Sequence, residues 1–142
     1  MTQAPTPAQV AAAMLANDAV AHDLSMQLLA VGCGSAELTM TIEPRMTNGV
    51  GTAHGGYIFT LADTAFAYAC NSSNQFAVAA DCSIQFLRPA HSGSVLRAVA
   101  SEVVLVGRTG IYDVLVTDAA SGETIATFRG KSARITGTHL PQ

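Results

Sequence analysis

One stretch constrains this chain more than any other: His-Gly-Gly-Tyr-Ile-Phe-Thr-Leu-Ala-Asp-Thr-Ala-Phe-Ala-Tyr-Ala-Cys, residues 54–70. Two glycines open it and strong helix formers follow. Apolar residues at 58, 59, 61, 62, 65, 66 and 69 fit a 3.6-residue period, and Ala67, Tyr68 and Cys70 carry apolar character around most of the circumference. A helix apolar nearly all round is a buried helix. It is too short, and too plainly interrupted by Asp63, to span a membrane. The rest of the chain must therefore wrap it. Asp63 is its single carboxylate, and no basic residue lies within a helical turn on either side. An unpaired buried charge is costly, so Asp63 either reaches a polar crevice or holds its proton unusually tightly. Both readings mark a site.

What surrounds the helix reads as strand. Residues 5–17 are alanine-rich and begin among prolines, which suits an outer helix. Residues 24–31 form a short apolar run. From 34 to 43, Ala36, Leu38, Met40 and Ile42 alternate with Ser35, Glu37, Thr39 and Thr41, the pattern of a half-buried antiparallel strand. An irregular loop over 45–53, with Asn48-Gly49 as its turn, delivers the chain to the buried helix. Four more strands follow over 76–88, 95–106, 111–117 and 123–135, with Val78, Ala80, Cys82, Ile84 and Phe86 expected on the inner face of the first. Strands segregated from helices mean α+β. A single antiparallel sheet that must cover such a helix has to curl around it.

Composition fits one domain over residues 1–142, with an N-terminal helix inside 1–20 and a loose tail over 137–142. With 49% apolar and 12% charged residues, much of the surface is expected to be covered by further copies of the chain. The net charge of −3 gives no reason to expect nucleic acid. Cys33, Cys70 and Cys82 are odd in number and widely spaced, which argues against disulfides and against a metal centre. No signal peptide or membrane segment is visible, so a cytoplasmic protein is expected.

The spaced set Asn48-x5-His54-Gly55-Gly56-x6-Asp63, then Asn71-Ser72, Phe86-Leu87-Arg88-Pro89, residues 109–113 and residues 128–132, resembles the hotdog-fold acyl-CoA thioesterases of the phenylacetate-degradation (PaaI) type. The resemblance covers roughly residues 10 to 137. It implies a hotdog fold, hydrolysis of an aromatic acyl-CoA such as phenylacetyl-CoA or hydroxyphenylacetyl-CoA, and no cofactor beyond the coenzyme A of the substrate. It implies Asp63 as nucleophile or general base and Asn48 as a group that places the water or the thioester. Physical reasoning adds the Gly55 amide as the oxyanion donor, since helix-start N–H groups are unpaired and carry partial positive charge. His54 orients that loop. Gly56, Tyr57, Phe59, Arg88, Arg108, Thr109 and Lys131 are the substrate-binding candidates, and Arg129 and Arg134 join the cations available to the CoA phosphates.

Three readings of the residues stay open beside this one. Cys70 shares the face of Asp63, although a cysteine among apolar neighbours is usually inert packing. Some relatives carry Ser or Thr early in the strand after the buried helix, where this chain has alanines; Asp81 or Ser83 could stand in. A hotdog hydratase or dehydratase, or an acyl-CoA binding module without turnover, remains as an alternative. A hydratase would want a histidine within the helix, and an intact Asp63 weighs against a module that only binds.

One consequence is geometric. Gly55 and Asp63 lie eight residues apart, about 12 Å along a helix axis, whereas a catalytic group must come within about 3 Å of the reacting atoms. The expectation is a homodimer with shared active sites, assembled further into a homotetramer.

Overall fold

The chain enters its first helix through Thr6, whose hydroxyl accepts from the N–H of Gln9 at 3.2 Å while the Gln9 side chain accepts from the N–H of Thr6. With Pro7 in the first turn, this capping box starts α1 (Pro7–Ala16) in a computed structural model that describes residues 3–142. Asp18 then caps a short helix α2 (Ala19–Asp23), which the sequence pattern did not signal. Next comes the hairpin β1 (Gln27–Gly32) and β2 (Ser35–Thr41), turning at Gly34, where φ is +72°. In β2 the expected alternation is realised: Ala36, Leu38 and Met40 are buried, as is Ile42 just beyond.

A 3-10 turn (Pro44–Met46) and a loop lead to the central helix α3 (Gly55–Cys70). Leu61, Ala62, Ala65 and Phe66 are fully buried against the sheet. The Phe66 ring packs edge-on to Tyr112 with centroids 5.5 Å apart, and also meets Phe128. Burying one such side chain stabilises the fold by about 1.5–3 kcal/mol. The packing is close enough that a Cβ on Gly130 would come within 2.8 Å of the Phe66 ring.

After α3 the chain forms β3 (Gln75–Phe86), β4 (Val95–Val106), β5 (Thr109–Asp118) and β6 (Thr124–Thr138). The six strands make one antiparallel sheet in the order β1-β2-β4-β5-β6-β3, curved over α3 without closing into a barrel. This is the hotdog architecture. β3 crosses to the far edge, and among the described residues one side of its 12-residue backbone is left unpaired.

Two expectations are corrected here. The register of β3 against β6 shifts between Ala79 and Asp81, and this bulge reverses the parity of the strand's first half. Ala77 therefore packs on the core and Val78 is 47% exposed, while Cys82 and Ile84 face α3 as expected. The C-terminal tail is held rather than loose: Leu140 donates to and accepts from the Asn74 side chain, and His139 bonds Asn71 at 2.7 Å. No helix among the described residues is long and apolar enough to cross a membrane.

Candidate active site

The start of α3 is built to leave one amide available. His54 sits at the N-cap in an extended conformation, and its Nδ1 accepts from the Gly56 N–H at 2.9 Å. The Tyr57 N–H goes to the His54 carbonyl. Among the described residues nothing accepts from the Gly55 N–H, so that donor points outward with the partial positive charge of the helix end behind it. The Phe86 ring lies over Gly55, 3.0 Å from where a Cβ would stand, which leaves glycine as the residue that fits there without a shift. A cleft of about 370 Å³ opens at this point, lined by Thr52, Gly55, Ile58, Phe86, Leu87 and Arg88. Arg88 is tethered at its rim by donating to the Thr124 carbonyl at 2.9 Å.

The loop ahead of the helix is pinned by Asn48. Its Oδ1 accepts from the N–H groups of Val50 and Thr52, each at 3.1 Å, and its Nδ2 donates to Thr52 Oγ1 at 3.0 Å. The His54 N–H donates to the Met46 carbonyl at 2.7 Å, and Ala53 bonds Ala90. Within one protomer, then, Asn48 fixes the approach to Gly55.

Asp63 projects from the middle of α3, half-buried, and no hydrogen bond or ion pair to its carboxylate forms among the described residues. Burial alone raises its pKa above the ordinary 3.8. Its charge is felt by two thiols. The Cys70 thiol is pushed up to about 12, chiefly by burial and then by Asp63, and Cys82 is raised by burial, Asp63 and Asp81. Both stay protonated near neutral pH, which makes Cys70 a packing residue and not a rival nucleophile. Asp81 and Ser83 sit opposite Lys131 and Arg129 in the ladder, on the sheet face turned away from α3. Neither replaces the missing hydroxyl from that face.

The substrate-binding candidates do not all gather. Gly56 is occupied by His54, Tyr57 stands edge-on to the His54 ring at 6.4 Å, and Phe59 packs on Phe128 at 5.4 Å. Together with Arg88 they surround the first half of α3. Arg108 and Thr109 lie at the β4–β5 turn near the other end of α3. Lys131 is on the outer face, as is Arg129, which pairs bidentately with Asp113 at 2.7 and 2.9 Å. Thr52, beside Gly55 in the cleft, is a residue that sequence reasoning missed, since it carries no pattern of its own; Phe86, expected on the inner face of β3, brings its ring over Gly55 from the end of that strand. A larger groove of about 600 Å³ lies on the outer sheet face, floored by Val99 and Leu115 between the Arg97–Glu37 and Arg129–Asp113 ion pairs. It contains neither the open helix amide nor an unpartnered carboxylate.

Comparison with known proteins places this geometry. The Thioesterase superfamily profile matches residues 50–125. The chain is 47% identical over 130 residues to acyl-coenzyme A thioesterase PaaI of Escherichia coli strain K12, covering 92% of each sequence. The solved PaaI protein from the E. coli phenylacetic acid degradation operon superposes with a TM-score of 0.91 at 46% identity, covering 93% of this chain and 95% of that one. A Streptococcus mutans protein solved bound to acetyl CoA aligns with a TM-score of 0.75 at 27% identity, over 80% of this chain and 90% of its own.

Proposed function

Since the chain belongs to the Thioesterase superfamily, and within it to the acyl-CoA thioesterases of the PaaI type, we propose that it hydrolyses aromatic acyl-CoA thioesters, phenylacetyl-CoA or hydroxyphenylacetyl-CoA, to the free acid and CoA. One observation carries the reading: an unpartnered, half-buried carboxylate and an open helix-start amide stand on the same helix, with aromatic rings between and around them.

The thioester carbonyl oxygen accepts from the Gly55 N–H, which stabilises the negative charge that builds on it as the carbonyl carbon becomes tetrahedral. Asp63 supplies the other half of the reaction by one of two routes. As general base it takes a proton from water while the water oxygen bonds the carbonyl carbon, and the C–S bond then breaks to release CoA as thiolate. As nucleophile its carboxylate oxygen bonds that carbon, CoA leaves, and water hydrolyses the resulting anhydride. Raising the pKa of Asp63 by burial makes it a stronger base than an exposed aspartate, at the cost of holding an ion in a poorly solvated place. His54 and Asn48 act on Gly55, the first by holding the Gly56 amide and the second by fastening the loop before it. No cofactor is required. Tyr57, Phe59 and Phe86 supply the aromatic surface that favours an aromatic acyl group.

Gly55 and Asp63 of one chain are too far apart, about 12 Å, to act on one carbonyl. The reading therefore includes a homodimer in which two α3 helices run antiparallel across a two-fold axis, so that Gly55 of one subunit meets the other subunit's carboxylate. Two features support it: the unpaired edge of β3, and the incompletely covered stripe of Gly56, Thr60, Asp63, Thr64 and Ala67 along α3. Such dimers pairing again would give the homotetramer. The substrate reading is tested by thiol release from a panel of acyl-CoAs. Phenylacetyl- or hydroxyphenylacetyl-CoA should give a higher kcat/KM than acetyl- or palmitoyl-CoA; a preference for long straight chains would contradict it.

A further inference from the structure

The loop before α3 holds its shape without help from the Thr52 hydroxyl. Backbone groups and Asn48 close it. The Asn48 N–H donates to the Thr52 carbonyl at 2.8 Å, the Gly51 N–H donates to the Asn48 carbonyl at 3.1 Å, and Thr47 and Ala53 pair as an antiparallel bridge. Asn48 Oδ1 accepts from the N–H groups of Val50 and Thr52. None of these bonds uses the Thr52 side chain.

The same loop nevertheless aims that hydroxyl. Because Oδ1 faces two backbone donors, the Asn48 amide stands only one way round, and its Nδ2 donates to Thr52 Oγ1 at 3.0 Å. A carbonyl oxygen has two lone pairs, and both of those on Asn48 Oδ1 are taken by N–H groups at 3.1 Å. Oδ1 is also the one acceptor within reach of the Thr52 proton among the described residues, at 3.3 Å. The hydroxyl therefore accepts on one side and keeps its proton for an acceptor the loop does not supply. Accepting from Nδ2 also polarises the O–H group into a better donor. Thr52 lines the cleft beside Gly55, and Asn48 stands behind it, outside the lining. The two residues between Thr52 and Gly55 are tied down, Ala53 by its N–H to the Ala90 carbonyl at 2.8 Å and His54 by its N–H to the Met46 carbonyl at 2.7 Å. Two donors lacking an acceptor thus line one cleft, the Gly55 amide and the Thr52 hydroxyl, and they call for an electron-rich oxygen.

Resting on the thioesterase reading above, we infer that the Thr52 hydroxyl donates to the thioester carbonyl oxygen as a second donor beside the Gly55 amide. Thr52 is then a catalytic residue, and Asn48 has the second task of aiming it. The oxygen gains negative charge as the carbonyl carbon becomes tetrahedral, so the bond strengthens toward the transition state and acts on kcat more than on KM. Removing one donor of this kind lowers kcat by about 10²-fold.

The test uses Thr52→Val, which keeps the shape of the side chain and removes the hydroxyl, and Thr52→Ser, which restores it. On phenylacetyl-CoA, Thr52→Val should lose about 10²-fold in kcat with little change in KM, and Thr52→Ser should recover most of the loss. The Gly55 amide resonance of the free protein should stay where it is in both variants, since the loop does not depend on the hydroxyl. A spectroscopic measurement then reads the bond itself. Phenylacetyl-CoA carrying a 13C carbonyl is bound to Asp63→Asn, which does not turn it over, and to Asp63→Asn combined with Thr52→Val. A donated hydrogen bond lowers the carbonyl stretching frequency, so the frequency should be higher in the double variant. Native kcat in Thr52→Val, a carbonyl frequency indifferent to residue 52, or a Gly55 resonance that moves together with the loss of activity would each overturn the assignment; the last would make the hydroxyl a brace of the loop. If the native protein bound phenylacetyl-CoA without hydrolysing it, the functional reading would fail while the carbonyl frequency still decided the role of Thr52. Absence of binding would overturn both.

Discussion

Replacing Asp63 by asparagine should make the protein both inactive and more stable. Asparagine keeps the shape of the side chain and removes the charge. Loss of a general base or nucleophile lowers kcat by at least about 10²-fold. The stability change follows from the environment of the carboxylate, which is half-buried, unbonded within the protomer, and raised above its ordinary 3.8 by burial. The folded protein therefore binds this proton more tightly than the unfolded chain does. Unfolding free energy from this group falls as pH rises from below 3.8 through the folded pKa, and the full penalty stands at neutral pH. Because solvent still reaches the group, the penalty is on the order of 1 kcal/mol or less. Asparagine removes it, and Tm at pH 7 should rise, by up to about 3 °C in a chain of this size. The gain should shrink toward zero as the pH of the melt approaches 4. Thiol release on phenylacetyl-CoA and thermal melts across that pH range read both effects. A variant with native kcat, or one with a lower Tm at pH 7 than at pH 4 relative to the native protein, would refute the argument.

Gly55→Ala should keep the fold, because the Phe86 ring that a Cβ would approach at 3.0 Å is 52% exposed and can swing aside. The displaced ring and the new methyl crowd the oxyanion position, so kcat should fall at least about tenfold with Tm nearly unmoved. Gly130→Ala should do the opposite. Its Cβ would come within 2.8 Å of the Phe66 ring, which is buried in the core and cannot yield. Overpacking of this kind costs about 1–3 kcal/mol, read as a lower midpoint in urea.

The central helix and the strand facing it were legible because burial leaves a periodic trace: the apolar run over 55–70 and the alternation over 35–42 both match the observed burial. Local signals failed wherever a distant partner decides the structure. α2 is five residues long and rests on the Asp18 cap and on the bond from Tyr68 to Asp18. The tail is ordered by Asn74 and Asn71, more than sixty residues upstream. The bulge at 79–81 inverts the first half of β3, so a strict alternation misassigned Val78. At the site, Asp63 announced itself as a lone carboxylate in an apolar helix, whereas the loop-pinning bonds of Asn48 and the ring of Phe86 over Gly55 depend on a folded loop and a strand end. The roles of the site residues rested on the family resemblance more than on their spacing.

The central claim is that each active site takes Gly55 from one subunit and Asp63 from the other, and subunit complementation tests it most directly. Asn48→Ala, which unpins the loop before Gly55, and Asp63→Asn are each prepared, shown to be inactive alone, dissociated, mixed in equal amounts and reassembled. Random pairing makes half of the dimers mixed, and each mixed dimer contains one site with both halves intact, so about a quarter of native activity should return. If mixed dimers form and activity stays at zero, both groups belong to one chain and the account is wrong.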